Sequence, residues 1–306
     1  MNVLVGYTGF VGSNIYEMGR FDYVFNSKNI EEAYGLEPDI LIYAGLRAEK
    51  YLANNEPEKD MELIIQAEEN IRKINPKKLV LISTIDVFKE PKYVDENSII
   101  DTENLHAYGY NRYQLECWVR RNYPDALIVR LPALFGKNIK KNFIYDYIKR
   151  IPFMLKTEKL EELSVREPEI KKYYVFQENG FYKCKQLTKE EEMTLKRIII
   201  RTGFSALNFT DSRSHYQFYP LYRLWEDIQI SLRKNIRLLH LATEPVSAGE
   251  VYEALCGEMF VNELDRPVVD YNYKTIHAKE FGGTKGYICN KKKIIALIKE
   301  FVDEYR

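Results

Sequence analysis

The sequence predicts an α/β protein, a doubly wound parallel sheet joined to a smaller, partly discontinuous α+β domain. Three observations carry that expectation. In the first half, the strand-like runs NVLVG, YVFN, DILIYAG, KLVLIST and ALIVRL alternate with segments of helical period such as MELIIQAEENIRKI. A glycine cluster, Gly6 to Gly12, falls in the first turn between a strand and a helix. After Gly136 the rhythm stops, and a charged, irregular stretch runs from Lys137 to Arg201. Alternating strands and helices close into a parallel sheet with helices on both faces.

In chain order, NVLVG is the first strand, the glycine turn leads into the first helix, and YVFN is the second strand. Only about a dozen residues separate YVFN from DILIYAG, so the third strand of a full βαβαβ half is missing or displaced. MELIIQAEENIRKI then leads to KLVLIST, and HAYGYNRYQLE to ALIVRL. These elements define a first, dinucleotide-binding domain over residues 1–136. Residues 137–306 form mainly a second domain, with 207–255 partly returning to the first. Within the irregular stretch, KLEELSVREPEIKKYYVFQ mixes helical and strand signals and ENGFYK resembles a hairpin tip, which indicates a small folded insertion. Further on, ALNFT and IRLLHLA read as strands. PLYRLWEDIQISLRK, AGEVYEALC and NKKKIIALIKEFVDEY read as helices.

Composition narrows the function. The chain has 306 residues, 45% of them hydrophobic, enough for a full core. No apolar run approaches the length that spans a bilayer, and MNVLVGYTGF is broken by glycine too early for a signal peptide, so a cytoplasmic protein is expected. Lysine plus arginine and aspartate plus glutamate balance at 45 each, which removes the global electrostatic argument for nucleic acid. Cys117, Cys184, Cys256 and Cys289 are far apart, and His106, His215, His240 and His277 are scattered, so neither a disulfide framework nor a metal site is indicated. His240, inside an apolar run, reads as a core or strand residue. The 24 tyrosines suit a tyrosine-rich core as well as stacking on a sugar or a base, as at Tyr216 and Tyr219.

The chemistry begins at Gly6-Tyr7-Thr8-Gly9-Phe10-Val11-Gly12. Glycines at this spacing allow a tight turn and a close backbone approach to a diphosphate, which lies at the positive N-terminus of the helix that follows. Gly6, Gly9, Phe10, Val11 and Gly12 are therefore expected to bind a dinucleotide on a Rossmann-type sheet, with Ala44 and Gly45 at the end of the third strand beside them. The second strand ends in Asn26-Ser27-Lys28, where an NAD site carries an acidic residue for the ribose. A hydroxyl and a cation suit the phosphate of NADP instead, so the residues lean to NADP over NAD. A solvated turn is the alternative.

KLVLISTIDVF ends a strand at Thr84, and the next helix carries Tyr108 and Arg112, four residues apart on one face. Threonine, tyrosine and cation could converge on a nicotinamide ring and a carbonyl or alcohol, with phenol and hydroxyl sharing the proton. A helix-surface pair worth a few tenths of a kcal/mol is the plain alternative for Tyr108 and Arg112. Gly109 between them costs about 1 kcal/mol in a helix and points to a close approach to the backbone there.

GYTGFVGSN, ISTIDVF, AYGYNRYQLE and VRLPALFG together resemble, in order and spacing, the extended short-chain dehydrogenase/reductases that act on nucleotide-activated sugars. The resemblance covers residues 1 to about 142 and resumes near IRLLHLATEPV. It implies a substrate domain in the second half, an NAD(P) cofactor, a nucleotide-sugar substrate, a role in polysaccharide or glycoconjugate assembly, and a homodimer as the candidate assembly. The short segment before DILIYAG looks most like the reductase branch. By the same resemblance Thr84 is the catalytic hydroxyl, Tyr108 the acid/base, and Arg112 stands where the family has a lysine. Asn142, and more loosely Arg213, would contact the substrate diphosphate. Arginine can hold the nicotinamide ribose and lower the phenol's pKa by its charge, but it cannot release a proton. Two readings stay open: a sugar-nucleotide reductase or epimerase, and a nucleotide-binding protein of the same fold that lost turnover when lysine became arginine.

Overall fold

The computed structural model describes residues 1–177 and 180–305. In it the apolar runs of the first half become strands β1 (Asn2–Val5), β2 (Tyr23–Phe25), β3 (Ile40–Tyr43), β4 (Lys78–Thr84) and β5 (Leu127–Leu131). With Leu238–His240 they make one six-stranded sheet in the order Leu238–His240, β5, β4, β3, β1, β2, parallel at each pairing. Val3, Leu4, Leu41, Ile42, Val80, Leu127 and Val129 are exposed by no more than 1%. Strands covered on both faces need this unbroken apolar character, which is why they read as runs without alternation. The helices that concern the site are α1 (Phe10–Met18), α2 (Lys50–Asn55), α3 (Pro57–Ile74) and α4 (Ala107–Asn122). Ile64, Ala67 and Ile71 of α3 and Leu115 and Val119 of α4 join Val3, Leu41, Leu79 and Ile128 in one core cluster.

The chain runs outward from β1 to β2 and then crosses to the other side of β1 for β3. That reversal opens a crevice at the carboxyl ends of β1 and β3, where ligands sit in open α/β sheets. Between β2 and β3 there is only the 3₁₀ turn Ile30–Ala33, and β2 is the sheet edge. The abbreviated segment therefore removes a strand and leaves the crevice in place.

The chain divides into two units, the first being 1–139, 215–246 and 270–297, the second 140–214, 247–269 and 298–306. Besides 215–246, which lies within the expected 207–255, the segment 270–297 also returns to the first unit. Leu238–His240 is held by its pairing with β5. Tyr273 packs with Ile85, Val87, Phe88 and Ala242, with Tyr271 and Tyr287 against them, which ties the 270–297 segment to the same core.

In the second unit, Met154–Lys156, Phe181–Cys184 and Tyr174–Phe176 form a small antiparallel sheet with Phe181–Cys184 in the centre. Helices Thr157–Arg166 and Lys189–Thr202 supply Leu160, Leu163, Leu195, Ile198 and Ile199 to its core beside Leu155, Ile170 and Tyr174. KLEELSVREPEIKKYYVFQ thus resolves into a helix, a 3₁₀ segment (Pro168–Tyr173) and a strand in succession. The strands flanking ENGFYK are antiparallel partners, while Glu178 and Asn179 of the expected tip lie outside the described residues. One expected strand is not formed: in ALNFT, Ala206–Phe209 is a 3₁₀ turn, because Ser205 and Asn208 cap each other's backbone and start a turn in place of a ladder. PLYRLWEDIQISLRK, AGEVYEALC and NKKKIIALIKEFVDEY contain the helices Leu224–Arg233, Ala248–Cys256 and Lys291–Tyr305. Among the described residues no helix is long and apolar enough to cross a membrane.

Candidate active site

The glycine turn lies at the crevice between β1 and β3. Gly6 has φ +94°, and a Cβ there would stand 2.4 Å from the Ala44 carbonyl oxygen and 2.8 Å from the Gly45 Cα. At Gly12 a Cβ would meet the Gly6 carbonyl oxygen at 2.1 Å. The chain's own packing therefore requires both glycines. Gly9 differs: it is exposed, its φ is an ordinary −78°, and its nearest neighbour would be the Gly6 carbonyl oxygen at 3.3 Å. Gly9 is also the N-cap of α1 and offers no side-chain cap. The first-turn amides of Phe10, Val11 and Gly12 have no intrahelical acceptor, and that set of donors at the positive end of a helix suits a diphosphate.

At the tip of β2, the Asn26 side chain accepts from the Lys28 amide at 2.8 Å, and the Asn29 side chain accepts from the Asn26 amide at 2.9 Å. Both amide side chains are used to shape the turn, and Ser27 and Lys28 remain exposed at its outer edge. Ala44, just past β3, donates its amide to the Val5 carbonyl at 2.9 Å, which fixes Ala44 and Gly45 over the glycine turn.

Thr84 ends β4 on the same edge of the sheet, and its hydroxyl accepts from the Asp86 amide at 3.1 Å. Tyr108, in the first turn of α4, is buried, with the Thr84 hydroxyl close enough to favour its ionised form. The net effect on the phenol is nonetheless upward. Burial raises its pKa above the usual value, Arg112 opposes that, and the charges of Asp86 and Asp60 add to the rise. Arg112 thus lowers the phenol's pKa as expected, but desolvation is the larger effect and leaves the net shift upward.

Arg112 is itself buried, its guanidinium carbon 4.2 Å from the centre of the Tyr108 ring. One of its terminal nitrogens pairs with Asp60 of α3, and the other donates to the Arg47 carbonyl at 2.7 Å. Asp60 also accepts from the Asn111 side chain at 2.9 Å. The cation so placed clamps α4 to α3 and stacks on the face of the phenol ring. Gly109 is explained by the chain as well, since a Cβ there would sit 2.1 Å from the Asp86 carbonyl oxygen. What approaches α4 closely is the loop after β4.

Three further residues at this site carried little signal in the sequence. The Asp86 carboxylate accepts from the Tyr271 hydroxyl at 2.7 Å and pairs with Lys50 of α2 at 3.1 Å. Asp86 interrupts an apolar run in ISTIDVF and could have been singled out for that. Lys50 and Tyr271 had no local pattern around them. Behind the site, the buried Glu116 accepts from the Ser83 hydroxyl at 2.6 Å and binds Arg130 through both oxygens, at 3.0 and 2.6 Å. His240 is fully buried in its strand, as a core residue should be. Tyr219 is also core, its hydroxyl donating to Asp227 at 2.6 Å.

Asn142 and Arg213 belong to the second unit. Asn142 has φ 97° and ψ 175°, a region almost reserved for glycine, and its side chain accepts from the Ile144 and Tyr145 amides at 3.0 and 3.3 Å. Arg213 is engaged by Asp211 through two nitrogens, at 3.0 and 2.8 Å, and by Glu263 at 2.9 Å. An incoming anion at Arg213 would share the guanidinium with those carboxylates through its two remaining N–H groups.

No family model matches the chain, and no curated protein matches it in sequence. Solved structures do match. A dTDP-4-dehydrorhamnose reductase from Bacillus anthracis in complex with NADP is similar at 14% identity and a TM-score of 0.64, over 99% of this chain and 97% of that one. The chain has the fold of these enzymes. The Bordetella bronchiseptica enzyme WbmG, in complex with NAD and UDP, gives a TM-score of 0.65 at 13% identity over 99% of this chain and 94% of that one. The UDP-glucose 4-epimerase of Thermotoga maritima, with UDP-glucose, gives 0.62 at 14% identity over 100% and 99%. Likeness therefore extends over both units of the chain, with identity too low to carry residue roles across.

Proposed function

We propose that this protein is an NAD(P)-dependent oxidoreductase or epimerase acting on a nucleotide-activated sugar, with Tyr108 as acid/base and Thr84 as its hydroxyl partner. The observation that carries the reading is the juxtaposition of Thr84 and the buried Tyr108 phenol on the sheet edge where Gly6 and Gly45 close the switch-point crevice. A phenol near the crevice where an open α/β sheet takes its ligand supports the reading of a proton donor there. Gly6, Gly9, Phe10, Val11 and Gly12 would hold the cofactor diphosphate, Ala44 and Gly45 would border it, and Asn26, Ser27 and Lys28 would meet the adenosine ribose. Bound there, a nicotinamide supplies or takes up hydride. The chain's residues handle the proton: Tyr108 gives it to a carbonyl oxygen or takes it from an alcohol, and Thr84 orients the same oxygen. The engagement of Arg112 with Asp60 and Arg47 favours a positioning role on the Tyr108 ring, with any ribose contact left to the rest of the guanidinium. Asn142, strained in a way that functional sites tolerate, and Arg213 are the proposed substrate-diphosphate contacts. The cytoplasm is the proposed setting.

Dehydrorhamnose linked to dTDP, UDP-glucose and UDP-N-acetylglucosamine, each with NADPH, NADH or the oxidised forms, make the test panel. Cofactor oxidation or epimer formation with one of them, lost in Tyr108→Phe, is the expected result. Absence of NADP and NAD binding by calorimetry would overturn the reading. Binding without turnover would leave a nucleotide-binding protein.

A further inference from the structure

A tyrosine that gives its proton to a carbonyl in a net reduction must regain it after each turnover, and at this site the cation four residues on cannot supply it. An arginine side chain does not give up a proton in a protein, and Arg112 is engaged by Asp60 and the Arg47 carbonyl. Tyr108 is buried, so direct exchange with bulk water is also restricted.

One group of side chains at the site has the protons, contacts among its own members and an exit to solvent. Asp86 is held against both members of the proposed pair: its amide donates to the Thr84 hydroxyl, and its carbonyl fills the space left by Gly109, the neighbour of Tyr108. Its carboxylate accepts from the Tyr271 hydroxyl at 2.7 Å on one oxygen and pairs with Lys50 at 3.1 Å on the other. The Asp86 side chain is 18% exposed and that of Lys50 43%, so the series leads outward. Tyr108 and Tyr271 each feel the charge of Asp86, and Tyr271 also feels Tyr108. His106, the other titratable side chain here, uses its Nδ1 to accept from the Gly109 amide, and burial and Lys50 keep it below its ordinary pKa. It is a cap, with no proton to lend near neutral pH.

We propose that Lys50, Asp86 and Tyr271 form the proton-exchange cluster of this site, in which the Lys50 ammonium recharges Tyr108 in place of the residue at 112. This deepens the reading of Tyr108 as acid/base and rests on it. In the reducing direction the substrate carbon receives hydride, the carbonyl π pair moves to oxygen, and that oxygen takes the Tyr108 proton, leaving a phenolate. Lys50 passes a proton to the Asp86 carboxylate, and the phenolate takes it from there, with Tyr271 hydrogen-bonded to Asp86 throughout. The neutral amine then takes a proton from solvent. In the oxidising direction each transfer reverses.

Two measurements test this. The first needs no turnover: Tyr108 is titrated by NMR with ring-labelled tyrosine, its signal assigned by Tyr108→Phe. Asp86→Asn should lower the Tyr108 midpoint, and Asp86→Glu should restore it. The second is steady-state turnover. Lys50→Met should lower kcat by about 10- to 100-fold with the cofactor's Kd unchanged, and added methylammonium should recover part of the loss. Lys50→Arg keeps the charge and the ion pair but gives up no proton, so it should be as slow as Lys50→Met. Full activity in Lys50→Arg, or losses that no amine recovers, would overturn the cluster. An unmoved Tyr108 titration would do so even in a working enzyme. A shifted titration in a chain that turns over none of the panel supports the cluster and counts against the proposed function.

Discussion

Tyr108 and Arg112 do two jobs with one helical spacing. The phenol faces Thr84 at the sheet edge, while the guanidinium lies across its ring and turns its charge toward Asp60. Removing the hydroxyl in Tyr108→Phe leaves the ring and its stacking intact, so NADP should bind as in the native protein while turnover falls about a hundredfold or more. Calorimetry and an initial-rate assay separate the two. Arg112→Met is a different kind of change, because it strands a buried carboxylate. Breaking one side of such a pair costs about 3–5 kcal/mol, so the variant should be strongly destabilised in urea, and Arg112→Lys much less so. Equal stability in both would mean that Asp60 finds another partner. The spacing that puts Tyr108 and Arg112 on one face was legible in the sequence, because it is local. Asp60 was not, since a partner 52 residues away leaves no mark in the pattern of either segment.

At the scale of elements, glycines decide how closely the backbone can pack, and they do so for different reasons. Gly12→Ala would drive a Cβ to 2.1 Å from the Gly6 carbonyl oxygen, so it should disrupt the turn itself and lower the thermal midpoint. In Gly9→Val the new Cβ would meet the Gly6 carbonyl oxygen at 3.3 Å, which a small shift of the turn relieves, so the variant should stay folded and yet lose NADP binding, because its side chain occupies the approach to the α1 amides. A folded Gly9→Val protein with native affinity would remove the dinucleotide from this turn. Gly109→Ala gains about 1 kcal/mol of helix propensity and still should destabilise, since the Asp86 carbonyl sits 2.1 Å from the new carbon. The strand-and-helix rhythm of the first half was legible because doubly covered strands must be continuously apolar. ALNFT misled for a physical reason: its apolar residues fit a short strand, and only the Ser205–Asn208 capping pair marks it as a turn.

Across the molecule, what the sequence hid is long-range. Segment 270–297 reads as loop and charged helix, yet it brings Tyr271 to Asp86 and Tyr273 under His240, because its partners lie elsewhere in the chain. The same kind of contact binds the first unit through a buried polar chain. Arg130 of β5 grips Glu116 of α4 and donates to His240 Nε2 at 3.0 Å, which leaves Nδ1 protonated to donate to the Lys274 carbonyl at 3.1 Å. The His240 amide in turn donates to Glu96 at 2.8 Å. A protonated imidazole would set two donors against each other at Arg130, and burial together with that arginine, opposed by Glu96, pushes the His240 pKa down from 6.5 to about 4. The unfolded chain takes up this proton below about pH 6.5 and the native one only near 4. Stability is therefore fully present above 6.5 and is lost as pH falls toward 4, by on the order of 2–3 kcal/mol. Burial raises the Glu116 pKa, but Arg130, Arg120 and Ser83 outweigh it; its lowered pKa adds to acid sensitivity below the ordinary carboxylate range. Trp118 and Trp225 both lie in this unit and report its unfolding by fluorescence. Urea midpoints should fall between pH 7 and 4.5 in the native protein and fall much less in His240→Gln, whose amide can accept from Arg130 without titrating. Parallel curves for the two proteins would show that His240 is not the group that titrates.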